Sequence, residues 1–339
     1  MTSAPQHSPD SPDSPDSPDY PFTRPSVALG TWSWGSGKVG GDTVFGNHLD
    51  TDDLRPVVEA AMANGLTLWD TAPVYALGES ERILGELLAD HDRDSYQLST
   101  KFTPSIAHHY DNSMSTMLDA SLQRLGTDHV DLYWIHNQDD IEKWTPQLVP
   151  LVQQGKVRTV GVSNHSLAQI ERVTEILGEA GIPLSAVQNH YSLLFRDSED
   201  TGILQHCLDT NVDFYSYMVL EQGALTGAYN TANPLPEGSD RAATYNAVLP
   251  QLETLTTAMS EIGEAHGGLS VAEVASAWAL GKGTLPIIGV TKARQVESQL
   301  RAARAEQSGG LTQAETTRLE DLAAAADLQV RGAWEKPLV

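Results

Sequence analysis

The chain has 339 residues and a mass of 36.6 kDa, with 21 Lys and Arg against 45 Asp and Glu, a formal charge of −24. That balance repels nucleic-acid phosphates and anionic lipid, which excludes both as general partners. No stretch approaches the ~18 apolar residues of a membrane span, the N-terminus lacks a signal peptide's basic start and apolar middle, and the lone Cys207 excludes an internal disulfide, so a soluble cytoplasmic protein is expected.

Residues 8–19 read Ser-Pro-Asp four times in succession. Proline at every third position removes backbone donors and nothing there is apolar, so 1–20 is expected to be a disordered tail and 21–339 one folded domain. From Val27 onward, apolar runs at 27–29, 66–69, 96–98, 130–135, 159–162, 186–187, 212–215 and 285–288 alternate with helical candidates at 54–63, 80–89, 113–125, 167–177 and 202–209. Asp52 or Asp53 is the expected first N-cap, and Gly65 and Gly126 are expected helix stops. Strand then helix, repeated about eight times, predicts a (β/α)8 TIM barrel, with an open doubly wound sheet as the competitor. The segment 220–268 is too long for a βα loop and holds a further helical stretch at 249–262. A last helix near 311–325 leads to an irregular tail containing Trp334.

Several motifs fail. Gly35-Ser-Gly37-Lys-Val-Gly40 matches G-x-G-x-x-G, but 41–50 reads as irregular sequence where a phosphate-binding helix should start. There is no P-loop, no G-x-S-x-G and no metal-ligand spacing among the histidines, and His108 and His109 read as loop residues.

A carboxylate, a lysine and an imidazole end the second, third and fourth candidate strands: Asp70, Lys101 and His136, with Tyr75 in the loop after Asp70. In a parallel barrel those ends converge on one face. A phenol with an ordinary pKa of about 10 is a poor acid; a nearby ammonium stabilises its phenolate, a carboxylate holds the ammonium, and a neutral imidazole can orient a carbonyl. The set therefore suits proton transfer to a carbonyl that receives hydride. A buried ion pair, a packed tyrosine and a core histidine would account for the same residues structurally.

Trp69-Asp-Thr-Ala-Pro-Val-Tyr75-Ala-Leu-Gly78-Glu-Ser-Glu-Arg82-Ile-Leu-Gly85 resembles the signature block of the aldo-keto reductase family. Ser99-Thr-Lys101, Asp131-Leu-Tyr-Trp-Ile-His136, Gly155-Lys-Val-Arg158-Thr-Val-Gly161-Val-Ser163-Asn164, Gln188-Asn-His-Tyr191 and Gly223-Ala-Leu-Thr-Gly227 follow in the family's order, so that the resemblance covers about four fifths of the chain. It implies a barrel that reduces carbonyls with a nicotinamide cofactor and no metal. In that frame Tyr75 is the general acid, Asp70 and Lys101 tune it, and His136 orients the substrate. Ser163, Asn164 and Gln188 correspond to the carboxamide-binding set, Tyr217 to the ring stacking on nicotinamide, and Gly30, Thr31 and Trp32 to the strand-one lining. Leu220, Gly289, Thr291, Lys292, Gln295, Ser298 and Gln299, with Asp70, complete the implied cofactor set. Trp32, Trp34, Tyr75, Trp134 and Phe102 are expected to form an aromatic substrate pocket, joined by His136 and by Asn137 in the polar stretch after it.

Two departures stand out. The family's Tyr-Ser-Pro-Leu reads Tyr217-Met-Val-Leu220 followed by Glu221-Gln222, and its adenine-binding Glu-Asn reads Ser298-Gln299. Thr291, Lys292, Arg294 and Gln295 open the helix after the final strand, where cations and hydroxyls suit a 2′-phosphate, so NADPH is expected over NADH. A small-molecule carbonyl is the expected substrate. A cofactor-binding partner subunit with little turnover, and alcohol oxidation by the same site, are the alternatives. The oligomeric state is left open.

Overall fold

The structure, a computed structural model, describes residues 25–328, 330–332 and 334–338. The Ser-Pro-Asp tail lies outside the described residues. Eight strands run parallel in chain order: β1 (Ala28–Gly30), β2 (Leu68–Asp70), β3 (Gln97–Phe102), β4 (Val130–Ile135), β5 (Val157–Ser163), β6 (Leu184–His190), β7 (Asp213–Tyr217) and β8 (Leu285–Gly289). The last returns to the first, pairing Ala28 with Ile287 and Gly30 with Gly289. Closure leaves no sheet edge and decides for the barrel over the open sheet.

Helices α1 (Thr51–Ala63), α2 (Glu79–Leu88), α3 (Met114–Leu125), α4 (Leu148–Gln153), α5 (Leu167–Gly178), α6 (Ile203–Thr210), α7 (Val271–Gly281) and α8 (Ala293–Gln307) follow the strands in turn. The cap of α1 is Asp50, which accepts from the amides of Asp52 and Asp53, rather than either of those residues. The stretch read as irregular at 41–50 contains a one-turn helix, Gly41–Phe45, steadied by the Asp42 carboxylate accepting from the Gly37 amide at 2.9 Å. Residues 31–34 separate the Gly35–Gly40 stretch from β1, so it does not form a strand-to-helix phosphate turn. α7 gave no periodic signal because Ala275, Ser276, Ala277, Trp278 and Ala279 are all buried, which erases the stripe of a half-exposed helix. The insertion helix Leu249–Ala265 and the helix Gln313–Ala326 pack on each other outside the ring. Among the described residues no helix is long and apolar enough to cross a membrane.

Strand alternation divides the core. Ala28, Leu68, Leu132, Trp134, Ala186, Tyr215, Leu285 and Ile287 form a cluster inside the barrel, while Leu29, Trp69, Tyr133, Val162, Val187 and Ile288 join the larger core beneath the helices. Inside, Trp134 needs the missing side chain of Gly161: a Cβ there would lie 2.4 Å from the indole ring. Gly161→Ala is expected to cost about 1–3 kcal/mol through overpacking, read as a lower denaturant midpoint at constant slope. An unchanged midpoint would mean that the interior has slack for a methyl group.

Candidate active site

Two residues beyond the interior cluster, the inward parity continues into polar side chains. Leu68 is followed by Asp70, Trp134 by His136, Gly161 by Ser163, Ala186 by Gln188, Tyr215 by Tyr217 and Ile287 by Gly289. Lys101 pairs across the sheet with Trp134 and shares its inward sense. The apolar runs of the sequence stop short of these residues, yet the ladder carries on through them: Asp70, Lys101, Ser163, Gln188 and Tyr217 all lie within their strands. All sit at the carboxyl ends of the strands, where barrel sites are built.

Asp70 and Lys101 form a buried ion pair of 2.5 Å, with Lys101 fully enclosed. Ser99 Oγ donates to Asp70 Oδ1 at 2.6 Å, Gln188 Nε2 approaches the same oxygen at 3.3 Å, and Lys101 Nζ also donates to the Thr71 carbonyl at 2.8 Å. Burial works against the Lys101 charge, but Asp70 and Tyr75 outweigh it and hold the pKa above its ordinary value. The ammonium lies 5.0 Å from the centre of the Tyr75 ring.

Tyr75 is held by an unusual turn. Ala76 and Leu77 adopt left-handed φ angles of 48° and 51°, followed by Gly78 at 96°. Non-glycine residues in this region cost about 1–2 kcal/mol each, so the surroundings must enforce the turn. They do so through signature residues that touch no reacting group. Ser80 Oγ bridges to Thr31 at the end of β1, and buried Glu81 accepts from Thr100 Oγ1 and Arg124 Nε, both at 2.6 Å. Gly78 is required twice, since a Cβ would also meet the Arg124 side chain at 2.8 Å.

The ammonium beside the phenol suggests a lowered Tyr75 pKa, but burial outweighs Lys101 and raises it. Tyr75 is thus held as the protonated phenol at neutral pH. His136 stands edge-on to it, ring centres 5.9 Å apart, with Nδ1 2.9 Å from Thr103 Oγ1. Burial, then the Lys101 charge, pushes the imidazole well below its ordinary pKa, so it is neutral. A protonated phenol, a neutral imidazole and a charged ammonium therefore converge.

Ser163 is buried, and Asn164, at φ 62°, donates through Nδ2 to the His136 carbonyl at 3.0 Å. Tyr217 places its hydroxyl 2.6 Å from Asn164 Oδ1. Buried Thr31 and half-buried Trp32 form the opposite rim, and Trp32 stacks on Tyr75 at 6.2 Å. Asn137 is half-buried beside His136. Trp34 lies elsewhere: it is fully buried against Trp69 and donates Nε1 to the Val290 carbonyl at 2.7 Å. Trp134 lies within the barrel interior, and Phe102 packs on Trp144 under the helices. Of the expected aromatic lining, Trp32 and Tyr75 stand together; apolarity alone could not separate rim rings from core rings.

A second group lies beside β1, at the end of β8 and the start of α8. Gly289 opens to free space, and exposed Lys292 and Arg294 flank half-buried Thr291 and Gln295. The Gln295 side-chain oxygen accepts from the amides of Thr291 and Lys292 at 2.7 and 2.9 Å. Ser298 is half-buried one turn on, and Gln299 is buried with its Oε1 facing no hydrogen-bond partner among the described residues. Leu220 opens the turn after β7, its carbonyl accepting from Gly223 and Leu225.

Sequence reasoning missed Ser99, Thr103, His190, Glu221 and Glu335. Strand parity could have found Ser99 and His190, and the Glu221 departure was visible without its meaning. Nothing local marked Glu335.

A model of the aldo/keto reductase family matches residues 26–323. The chloroplastic pyridoxal reductase of Arabidopsis thaliana is 32% identical over 299 residues, 83% of this chain and 80% of that protein. The Schizosaccharomyces pombe aldo-keto reductase yakc [NADP(+)] is 30% identical over 303 residues, covering 80% and 87%. The solved glycerol dehydrogenase of Gluconobacter oxydans superposes with a TM-score of 0.67 at 28% identity, over 89% of this chain and 92% of the other. The barrel, the ordered signature blocks and these matches agree: the chain belongs to the aldo/keto reductase family, nicotinamide-dependent oxidoreductases acting on carbonyl compounds.

Proposed function

We propose that the protein reduces an aldehyde or ketone to an alcohol with NADPH and that Tyr75 is the general acid. The observation carrying this reading is the convergence of protonated Tyr75, neutral His136 and the Asp70–Lys101 pair at one barrel mouth. The residues present suit a nicotinamide dinucleotide. Ser163, Asn164 and Gln188 offer both donors and acceptors for a carboxamide, Tyr217 offers a ring face, and the orphaned Gln299 Oε1 suits an adenine amine. The bound cofactor supplies the hydride. His136, with Nδ1 facing the Thr103 hydroxyl, can present Nε2–H to the carbonyl oxygen and orient it. The Tyr75 O–H breaks as the alcohol O–H forms, and Lys101, held by Asp70, balances the phenolate charge. Run backwards, the same residues oxidise an alcohol, a direction favoured by the likeness to a glycerol dehydrogenase.

Lys292 and Arg294 support NADPH over NADH, being two cations at a helix start in a chain of net charge −24. The relative named for NADP(+) points the same way. The test is absorbance decay of NADPH and of NADH with a panel of aldehydes and ketones. Lys292→Ala should raise the KM for NADPH about tenfold, the loss of one charge-assisted contact, and leave that for NADH unchanged. Equal effects on both would remove Lys292 from phosphate recognition. Binding of NADPH with no turnover across the panel would favour the partner-subunit alternative.

A further inference from the structure

Residues 334–336 meet side chains and backbone at the barrel mouth. Trp334 sets its edge on Trp32 at 5.3 Å between ring centres, Lys336 Nζ donates to the Gln138 carbonyl at 3.0 Å, and Glu335 turns inward with its side chain 5% exposed. There it meets Tyr217 and His190 together. The phenol oxygen lies 2.6 Å from Glu335 Oε1, and His190 Nδ1 lies 3.0 Å from the same carboxylate. The other imidazole nitrogen, Nε2, is 2.9 Å from Glu221.

Glu221 is fully buried and also accepts from Ser192 Oγ and, at 2.5 Å, from the Tyr245 hydroxyl. The Glu221-Gln222 departure thus has a structural meaning: its carboxylate turns inward to hold His190. An ionised carboxylate only accepts, so an imidazole between two of them carries a proton on each nitrogen. Phe195 stacks on this imidazolium at 4.2 Å and Tyr217 at 5.5 Å, and the Arg331 guanidinium lies 5.6 Å from the centre of the Phe195 ring.

The Tyr217 hydroxyl has one hydrogen and two acceptors at 2.6 Å, Glu335 Oε1 and Asn164 Oδ1. The hydroxyl therefore ties Glu335 and Asn164 to one point, the charged acceptor being the stronger anchor. Asn164 Oδ1 carries two lone pairs, so it accepts from the Tyr217 hydroxyl and keeps a second site for another donor, which is what a carboxamide N–H requires. We infer that Glu335 is a positioning residue for the cofactor: braced by His190 and Glu221, it fixes the Tyr217 ring and, through the shared hydroxyl, the Asn164 side chain whose carbonyl would receive the nicotinamide carboxamide. This rests on the reading of Tyr217 and Asn164 as nicotinamide contacts. Burial opposes the His190 charge, but Glu221 and Glu335 raise its pKa to about 9.

The test compares Kd values of the full chain for NADPH and for 2′,5′-ADP, a probe lacking nicotinamide, by fluorescence and calorimetry. Glu335→Gln should weaken NADPH about tenfold, the scale of one hydrogen bond to a charged group, and leave 2′,5′-ADP within twofold. The His190 imidazole, followed by NMR, should titrate below its wild-type midpoint near 9, because one of its two carboxylates is gone. Glu335→Asp, which keeps the charge but shortens the reach, should fall between wild type and Glu335→Gln, and it carries the test alone should the amide variant not fold. NADPH binding within twofold of wild type in these variants overturns the inference, even with a lowered melting temperature. Equal weakening of NADPH and 2′,5′-ADP also overturns it, since that marks a general structural role. Tyr217→Ala separates the two levels: if it binds NADPH as tightly as wild type, the reading of Tyr217 fails and the inference with it. If Tyr217→Ala weakens NADPH and the Glu335 variants do not, the inference alone fails.

Discussion

Tyr75→Phe is expected to lower kcat for carbonyl reduction by about 10²–10⁴, the usual contribution of a positioned general acid, with little change in NADPH affinity. The variant removes one oxygen. The buried Asp70–Lys101–Ser99 group loses only the Lys101 hydrogen bond to that oxygen, since Asp70 keeps Ser99 and Lys101 keeps both Asp70 and the Thr71 carbonyl. The turn through Ala76, Leu77 and Gly78 is held by Ser80, Glu81 and Arg124, not by the phenol, so the ring should stay in place. In the wild-type protein Tyr75 stays protonated up to its ordinary pKa of about 10 and beyond, and His136 stays neutral down to about 6.5 and below. The pH profile of kcat should therefore be flat between those limits. A break near neutrality, or undiminished turnover in Tyr75→Phe, would assign the proton to another group.

Replacing Lys101 with Met should damage both stability and turnover. The ammonium is fully enclosed and paired at 2.5 Å, and its removal leaves the Asp70 carboxylate buried without its counter-charge, at a cost of about 3–5 kcal/mol. Ser99 and Gln188 still face Asp70, which favours the lower end of that range. Adding Asp70→Asn removes the stranded charge and should return most of the stability while turnover stays low, because nothing then balances the phenolate at Tyr75. Denaturant midpoints and kcat, measured on the two single variants and the double, separate the effects. A double variant as unstable as Lys101→Met would place the loss in packing rather than charge. The folded pKa of Lys101 is raised. Its stabilisation is thus fully present below the unfolded value of about 10.4 and lost as pH climbs through the folded one, so the deficit of Lys101→Met should shrink only in strong alkali.

The sites of these experiments were legible in the sequence to different depths. Asp70, Lys101 and His136 are visible because each ends a candidate strand with a group that can ionise, where a parallel strand buried on both faces otherwise reads as continuous apolar sequence. The number of strands and their parallel sense follow from the βα rhythm. The signature block placed Tyr75, but not the left-handed turn that aims it, since Ala76 and Leu77 show no preference for positive φ. α7 escaped notice because full burial removes the amphipathic contrast on which such a reading depends.

What the sequence by itself determined is local or strictly periodic: the order of elements, the convergence of the strand ends on one face, the signature blocks and the charge. Closure of β8 onto β1 was decided by tertiary structure, as was the sorting of Trp32 to the rim and of Trp34, Trp134 and Phe102 to the core. The net rise of the Tyr75 pKa belongs there too, because it is a contest between burial and a charge 31 residues from Asp70 along the chain. The meeting of Glu335 with His190 and Tyr217 spans 145 and 118 residues, and no pattern in a linear chain encodes it. Periodicity reports which way a side chain points from its own strand; which distant side chain it meets depends on how the whole barrel closes.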